Sequence, residues 1–106
     1  MVRIILDACV PRVFGSELTG HQVTTAANLG LQHLDDGPLL EAISNRCDVF
    51  VTVDKSIRWQ QTLDHRPFCV ILLRSKSNRL EDLLPLVPAL MIALQFARPG
   101  RFVELP

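Results

Sequence analysis

Three aspartates in this chain are placed where their carboxylates could act together: Asp7, Asp36 and Asp54. Asp7 closes an apolar stretch that starts at Val2, and Asp54 follows the apolar stretch 49–53. Runs of this kind are typical of parallel strands that are covered on both faces, and ligands collect at the carboxyl ends of such strands. We therefore expect Asp7 and Asp54 to lie at the same edge of one sheet.

Carboxylates that are brought together repel one another and raise each other's pKa unless a cation lies between them. Hard oxygen ligands favour Mg²⁺ or Mn²⁺, which keep several waters and use few protein carboxylates. Such an ion lowers the pKa of a bound water and neutralises a phosphate, which is the chemistry of metal-dependent phosphodiester hydrolysis. We predict that Asp7, Asp36 and Asp54 bind this metal and form the catalytic centre.

Each of these acids also has a purely structural interpretation. Asp35 and Asp36 are suited to capping the helix that follows them, and for Asp35 capping is the preferred interpretation. Asp7 and Asp54 are suited to the turns that follow strands. The combination of all three with the expected fold favours the shared metal site.

The elements that must position these acids alternate along the chain. Strands are predicted at 2–6, 22–25 (an edge strand), 49–53, 68–73 and 101–105, and helices at 10–20, 35–46, 56–63, 80–84 and 88–97. Pro85 and Pro88 separate the last two helices, and Asn78 with Glu81 resembles a capping pair. This alternation predicts an α/β protein, a three-layer α/β/α sandwich with a mostly parallel sheet of about five strands.

Length and composition bound the class of protein. The 106 residues suit a single domain, 1–106, and a net charge of zero with 48% hydrophobic residues argues against disorder and against a strongly basic nucleic-acid binder. The longest apolar stretch, 86–97, is shorter than the ~20 residues of a membrane span, so we expect a soluble cytoplasmic protein. Cys9, Cys47 and Cys69 lack Cys-x-x-Cys spacing and are predicted to be buried thiols.

Five basic residues follow the carboxyl ends of the two buried strands and are predicted to bind the phosphates of a substrate: Lys55, Arg58, Arg74, Lys76 and Arg79. Trp59 suits either stacking on a base or packing, and packing is the favoured interpretation. His21, His33 and His65 lack partners at ligand spacing and receive no role.

The predicted helix Pro88–Ala97 is apolar nearly all round. Deep burial is one interpretation, and an exposed patch that docks a partner, such as a second copy, is the other. The second interpretation is favoured, so a homodimer through this helix is expected.

Three segments together resemble the short PIN-like proteins of bacteria and archaea: Asp7-Ala8-Cys9-Val10-Pro11, Gly30-Leu31-Gln32-His33-Leu34-Asp35-Asp36-Gly37-Pro38-Leu39-Leu40 and Thr52-Val53-Asp54-Lys55. Segment 77–83 is similar to the start of that family's last helix. The resemblance implies a Mg²⁺-dependent ribonuclease, often the toxin of a toxin-antitoxin pair like the VapC-type toxins. It therefore implies RNA as the ligand of the five basic residues, and an antitoxin segment as a second possible partner of the helix Pro88–Ala97. Ala8 and Pro38 stand where the family pattern has glutamates, so the alternative is a weakened or inactive PIN-like interaction module. A receiver-like or nucleotide-binding domain is a third option, against which the lack of a glycine-rich phosphate loop argues.

Overall fold

The centre of the molecule is a sheet of five strands, in a computed structural model that describes residues 1–60 and 63–106. In chain order the strands are β1 (Arg3–Leu6), β2 (Gln22–Thr25), β3 (Val49–Thr52), β4 (Cys69–Leu73) and β5 (Phe102–Leu105). The order across the sheet is β2-β1-β3-β4-β5, and every neighbouring pair is parallel. The prediction of an α/β fold with a parallel sheet of about five strands is confirmed.

The position of each strand follows from its side chains. Every residue of β3 and β4 is buried, as expected of central parallel strands with both faces covered. β2 lies at one edge of the sheet and is mostly only partly buried, which confirms that it is an edge strand. The chain moves from β1 to β2 in one direction and to β3 in the other, so the order of strands reverses beside β1.

The helices of the described residues are short. They are α1 (Asp36–Ile43), α2 (Leu80–Leu83) and α3 (Val87–Leu94), with 3-10 helices at Arg12–Glu17, Lys55–Trp59, Leu63–His65 and Leu84–Leu86. Pro88 lies in the first turn of α3, where its missing amide costs no helical hydrogen bond. The predicted helix 10–20 is a 3-10 helix, and only Lys55–Trp59 is helical at the start of the predicted helix 56–63, of which Gln61 and Thr62 lie outside the described residues.

Two apolar clusters form the core, one on each face of the sheet. Alternate residues of β1 divide between them: Ile4 and Leu6 belong to the first cluster, and Ile5 belongs to the second. The first cluster includes buried residues of α2 and α3, and the second includes the apolar side of α1. The molecule is thus a compact α/β domain with a radius of gyration of 12.2 Å.

Of the two predicted helix caps, that of Asp35 is correct in position only, and that of Asn78 is wrong. Asp35 occupies the N-cap position of α1, but its side chain makes no capping hydrogen bond. The N-cap of α2 is Arg79 rather than Asn78, and the side chain of Asn78 instead donates to the backbone oxygen of Cys9, 3.0 Å away. The side chain of Asn78 therefore bonds to a residue that is distant in the sequence instead of capping α2.

The three cysteines are free thiols. Cys47 and Cys69 are buried as predicted, and burial raises the pKa of the Cys47 thiol to about 12. Cys9 is only partly buried, so the prediction of a buried thiol is wrong for this residue. Its position beside Asp7 makes it part of the site described below.

Candidate functional site

A cleft of about 390 Å³ opens at the carboxyl edge of the sheet, and Asp7, Asp36 and Asp54 all line it. Asp7 directly follows β1, Asp54 follows β3 after one intervening residue, and Asp36 is the first residue of α1. The three acids are thus brought to the point where the strand order reverses, which is where parallel sheets bind ligands.

The backbone of Asp7 is fixed by the strand pairing. Leu6 pairs with Val51 across the β1–β3 ladder, and the amide of Asp7 donates to the oxygen of Val51 at 2.8 Å. Asp7 therefore leaves the sheet in register with the end of β3. This register places its carboxylate beside the side chain of Thr52.

The carboxylate of Asp7 accepts several hydrogen bonds. Thr52 Oγ1 donates to Asp7 Oδ2 at 2.6 Å, and the amide of Ala8 donates to Asp7 Oδ1 at 2.8 Å. The thiol of Cys9 also points to Asp7 Oδ2, at 3.5 Å. These donors hold the carboxylate in one orientation at the wall of the cleft.

Thr52 is a residue of the candidate site that the sequence interpretation missed. It is fully buried, and its hydroxyl also accepts a hydrogen bond from the amide of Asp54 at 3.0 Å. The Thr52 hydroxyl thus forms hydrogen bonds with both the carboxylate of Asp7 and the backbone amide of Asp54. The signal in the sequence was a polar residue at the end of an otherwise apolar strand, two positions before Asp54.

Ser56 forms a second link, between Asp54 and Asp36. The amide of Ser56 donates to Asp54 Oδ1 at 3.0 Å, and its hydroxyl donates to Asp36 Oδ2 at 3.2 Å. Asp54 is also the N-cap of the 3-10 helix Lys55–Trp59, so the turn interpretation of this residue describes part of its role. The cap uses Oδ1.

The electrostatic environment of the cleft disfavours negative charge on Asp36. Burial raises the pKa of Asp36, and the negative charges of Asp54, Asp7 and Asp35 raise it further, while the Ser56 hydrogen bond opposes these effects. Burial and the neighbouring Asp7 also raise the pKa of the Cys9 thiol. The negative charges of neighbouring acids therefore contribute to the raised pKa values of both Asp36 and Cys9.

Among residues 1–60 and 63–106, no group of three His, Cys, Asp or Glu side chains is arranged to hold a metal ion. The three acids face one cleft without converging on one point. Mg²⁺ binds proteins through one or two carboxylates and keeps several waters, so a converging triad is not required. The all-oxygen donor set and the raised pKa of Asp36 fit a hard divalent cation.

The five basic residues predicted to bind RNA differ in their partners. Arg58 pairs with Glu104 of β5 at 2.8 Å, Arg79 pairs with Glu81, and Lys76 lies 3.7 Å from Asp82. Lys55 and Arg74 are exposed and form no ion pair within the part of the chain that the structure describes. None of the five is among the described residues that line the cleft.

Trp59 and α3 expose large apolar side chains. Trp59 is 75% exposed, so the prediction that it packs is wrong. On α3, Leu90 and Leu94 are buried, whereas Ile92 is 60% exposed. Phe96, just beyond α3, is 58% exposed. The predicted helix Pro88–Ala97 therefore has one side in the core and another in solvent.

Asn78 was also missed as a residue of the site. It lines the cleft, and its bond to the oxygen of Cys9 joins the loop before α2 to the loop that follows β1. The sequence contains no signal for this contact, because its partner is a backbone oxygen 69 positions away.

Comparisons with protein-family models, with curated proteins and with solved structures found no match for this chain. The resemblance to PIN-like proteins therefore rests on the sequence segments alone and stays a prediction. None of the helices in the described residues has the length and apolar character that crossing a membrane requires.

Proposed function

We propose that this chain is a Mg²⁺- or Mn²⁺-dependent ribonuclease with a PIN-like, three-layer α/β/α fold, and that it is the toxin of a toxin-antitoxin pair. The proposal is carried by one observation: Asp7, Asp36 and Asp54, from three separate segments, line one cleft at the carboxyl edge of the sheet. The two apolar clusters on opposite faces of the sheet support the layered architecture. The toxin role rests on the resemblance of segments 7–11, 30–40 and 52–55.

In this proposal Asp7, Asp36 and Asp54 hold the metal, which when bound supplies a water of lowered pKa and positive charge for the phosphate. Thr52 and Ser56 orient the carboxylates before substrate arrives, through the hydroxyl contacts to Asp7 and Asp36. Fixed orientation matters because a carboxylate that must rotate loses part of its contribution to binding.

Basic side chains near the strand ends would hold the RNA. Lys55 and Arg74 are the strongest candidates, since neither has an acidic partner among the described residues. Arg58, Lys76 and Arg79 would have to exchange a protein carboxylate for a phosphate. We place this activity in the cytoplasm, where RNA substrates are present.

The test is cleavage of a labelled RNA with Mg²⁺ and with a chelator. We expect cleavage only with the metal, and a loss of about 100-fold or more in Asp54→Asn, the scale of removing one preorganised polar group from an active site. Asp64→Asn is the matched control, because this carboxylate is 73% exposed and is not among the residues of the cleft. Cleavage that survives in Asp54→Asn would contradict the proposal.

The metal site can be tested without activity. Calorimetric titration with Mn²⁺ should give heat of binding for the native chain and little heat for Asp7→Asn and Asp54→Asn. Heat that is unchanged by both substitutions would remove the metal from the proposal, whatever the outcome of the cleavage assay.

The second candidate is a catalytically silent PIN-like interaction module. Ala8 is exposed and Pro38 lies in the first turn of α1, and neither supplies the carboxylate that the family pattern has there. The exposed apolar side chains of the predicted helix Pro88–Ala97 would then dock a second copy or an antitoxin. Light scattering on the native chain and on Ile92→Lys tests the homodimer, and cleavage that requires both Mg²⁺ and Asp54 excludes a silent module.

A further inference from the structure

Trp59 occupies an unusual place for an exposed tryptophan. Its side chain is 75% exposed, and it is the last residue of the 3-10 helix Lys55–Trp59 that begins directly after Asp54. Single exposed apolar residues are common on proteins and need no explanation by themselves. What distinguishes Trp59 is that the helix carrying it is anchored to the rest of the molecule and follows directly after Asp54.

The helix is fixed at three points. Asp54 caps its start, Ile57 is buried in the apolar cluster on the α1 side of the sheet, and Arg58 pairs with Glu104 at 2.8 Å. Glu104 belongs to β5, two strands away from β3. The ion pair indicates that the helix runs from the end of β3 towards the β5 side of the sheet, and Trp59 is its last residue.

The separation between Trp59 and the acids follows from this geometry. A 3-10 helix rises about 2 Å per residue, so the five residues from Asp54 to Trp59 cover about 10 Å. One strand of nucleic acid can reach both the cleft and the indole.

The charges around the helix suit the same ligand. Lys55 lies on the same helix, Arg74 follows β4, and both are exposed without an ion pair among the described residues. Cationic side chains that follow the phosphates, combined with an aromatic ring that stacks on a base, are how proteins bind single-stranded nucleic acid. A duplex hides the faces of its bases inside the stack, so it cannot use such a ring.

We infer that Trp59 is a stacking platform for an unpaired base of RNA, next to the phosphates that Lys55 and Arg74 contact, and that it restricts the substrate to single strands. The choice of RNA rests on the proposed ribonuclease function. The stacking itself depends only on Trp59 and the helix that carries it, so it can be tested separately from cleavage.

The chain contains one tryptophan, so its intrinsic fluorescence reports on Trp59 alone. The full-length protein is titrated in a chelator, which prevents metal-dependent cleavage, with a short single-stranded oligoadenylate and with a duplex of the same length. We expect the single strand to quench the fluorescence and the duplex to leave it unchanged. Anisotropy of labelled RNA should show about 5- to 150-fold weaker binding for Trp59→Ala and a smaller loss for Trp59→Phe, which keeps an aromatic face.

Phe96→Ala is the control, because Phe96 is exposed to a similar degree, 58%, but follows α3 and is not on the 3-10 helix that begins after Asp54. It should leave RNA affinity unchanged. Unaltered affinity in Trp59→Ala, or equal quenching by the duplex, would overturn the inference. So would fluorescence that depends on protein concentration without RNA, since Trp59 would then contact a second copy.

The two proposals fail in different ways. Quenching and tight binding without Mg²⁺-dependent cleavage would support stacking and reject the ribonuclease. Cleavage that requires Asp54, with RNA affinity indifferent to Trp59→Ala, would keep the ribonuclease and reject stacking. A chain that binds no RNA at low salt rejects both.

Discussion

The acids of the cleft are held by hydroxyl groups rather than by cations. Thr52 donates to Asp7, and Ser56 donates to Asp36. Of the ion pairs in residues 1–60 and 63–106, none includes Asp7, Asp36 or Asp54. No basic side chain in an ion pair therefore neutralises the negative charge of these three acids. Carboxylates in this situation favour the binding of an external cation.

Thr52→Val tests the hydroxyl that joins two of these acids. Valine has the same shape, but it leaves Asp7 without its closest donor and the amide of Asp54 without an acceptor. We expect the free energy of unfolding in urea to fall by about 1–3 kcal/mol. Thr52→Ser keeps the hydroxyl and should keep Mn²⁺ binding, whereas Thr52→Val should weaken it. Equal Mn²⁺ affinity in both variants would show that the hydroxyl does not orient Asp7.

The raised pKa of Asp36 predicts a pH dependence of stability in metal-free protein. Because burial and neighbouring acids raise this pKa above 3.8, the folded state binds the proton more tightly than the unfolded state does. The contribution of Asp36 to stability is therefore complete below pH 3.8 and is lost as pH rises through the folded-state pKa.

Urea unfolding of the native chain and of Asp36→Asn, measured between pH 3.5 and pH 7 in a chelator, isolates this effect around the ordinary pKa of 3.8. The free energy of unfolding of the native chain, relative to the variant, should increase as the pH falls. Mg²⁺ at neutral pH should reduce the difference in unfolding free energy between the native chain and Asp36→Asn, because the cation offsets the negative charge of Asp36. A difference that does not change with pH would mean that the environment of Asp36 does not penalise its charge.

Single elements of the fold were largely predictable from local sequence. Predicted strand 22–25 matches β2, and predicted strand 49–53 is one residue longer than β3. Apolar runs define such elements because burial on both faces requires them. The predicted break near Pro85 and Pro88 is also present: Pro85 lies in the 3-10 helix Leu84–Leu86 between α2 and α3, and Pro88 lies in the first turn of α3.

Contacts between elements were not predictable in the same way. The exposure of Trp59, the pairing of Arg58 with Glu104 and the bond from Asn78 to Cys9 all depend on which elements become neighbours. Asp7 and Asp54 were predictable because strand ends share an edge, and Asp36 was predictable because it starts the helix that precedes β3. Thr52 was not identified as part of the site, since within the strand it reads as an ordinary β-branched residue.

The turn between α3 and β5 depends on Gly100. Its φ of 81° is in the left-handed region, and a Cβ atom there would lie 2.6 Å from the backbone oxygen of Asp64. Gly20 has a similar φ of 85°, with nothing within 4 Å of the added atom. We expect Gly20→Ala to cost about 1–2 kcal/mol of unfolding free energy and Gly100→Ala at least about 1 kcal/mol more. Equal losses in urea unfolding would show that the contact with Asp64 relaxes freely.

The whole molecule has no net charge, so any RNA affinity must come from a few local cations and from stacking. For single strands the slope of log affinity against log salt is about −0.7 for each phosphate contact. Lys55 and Arg74 are free to make such contacts, whereas Arg58, Lys76 and Arg79 already pair with acids. We therefore expect a slope of about −1.4 for binding of single-stranded RNA in a chelator.

Lys55→Ala and Arg74→Ala should each reduce the magnitude of that slope by about 0.7, and Lys76→Ala, as the ion-paired control, should change it little. Lys76 is a suitable control because it is 83% exposed, as a phosphate-binding lysine would be, but it is paired with Asp82. A slope near −3.5 would show that all five basic residues contact phosphates, and that RNA displaces the acids that hold three of them. Stacking on Trp59 carries no charge, so Trp59→Ala should weaken binding equally at every salt concentration.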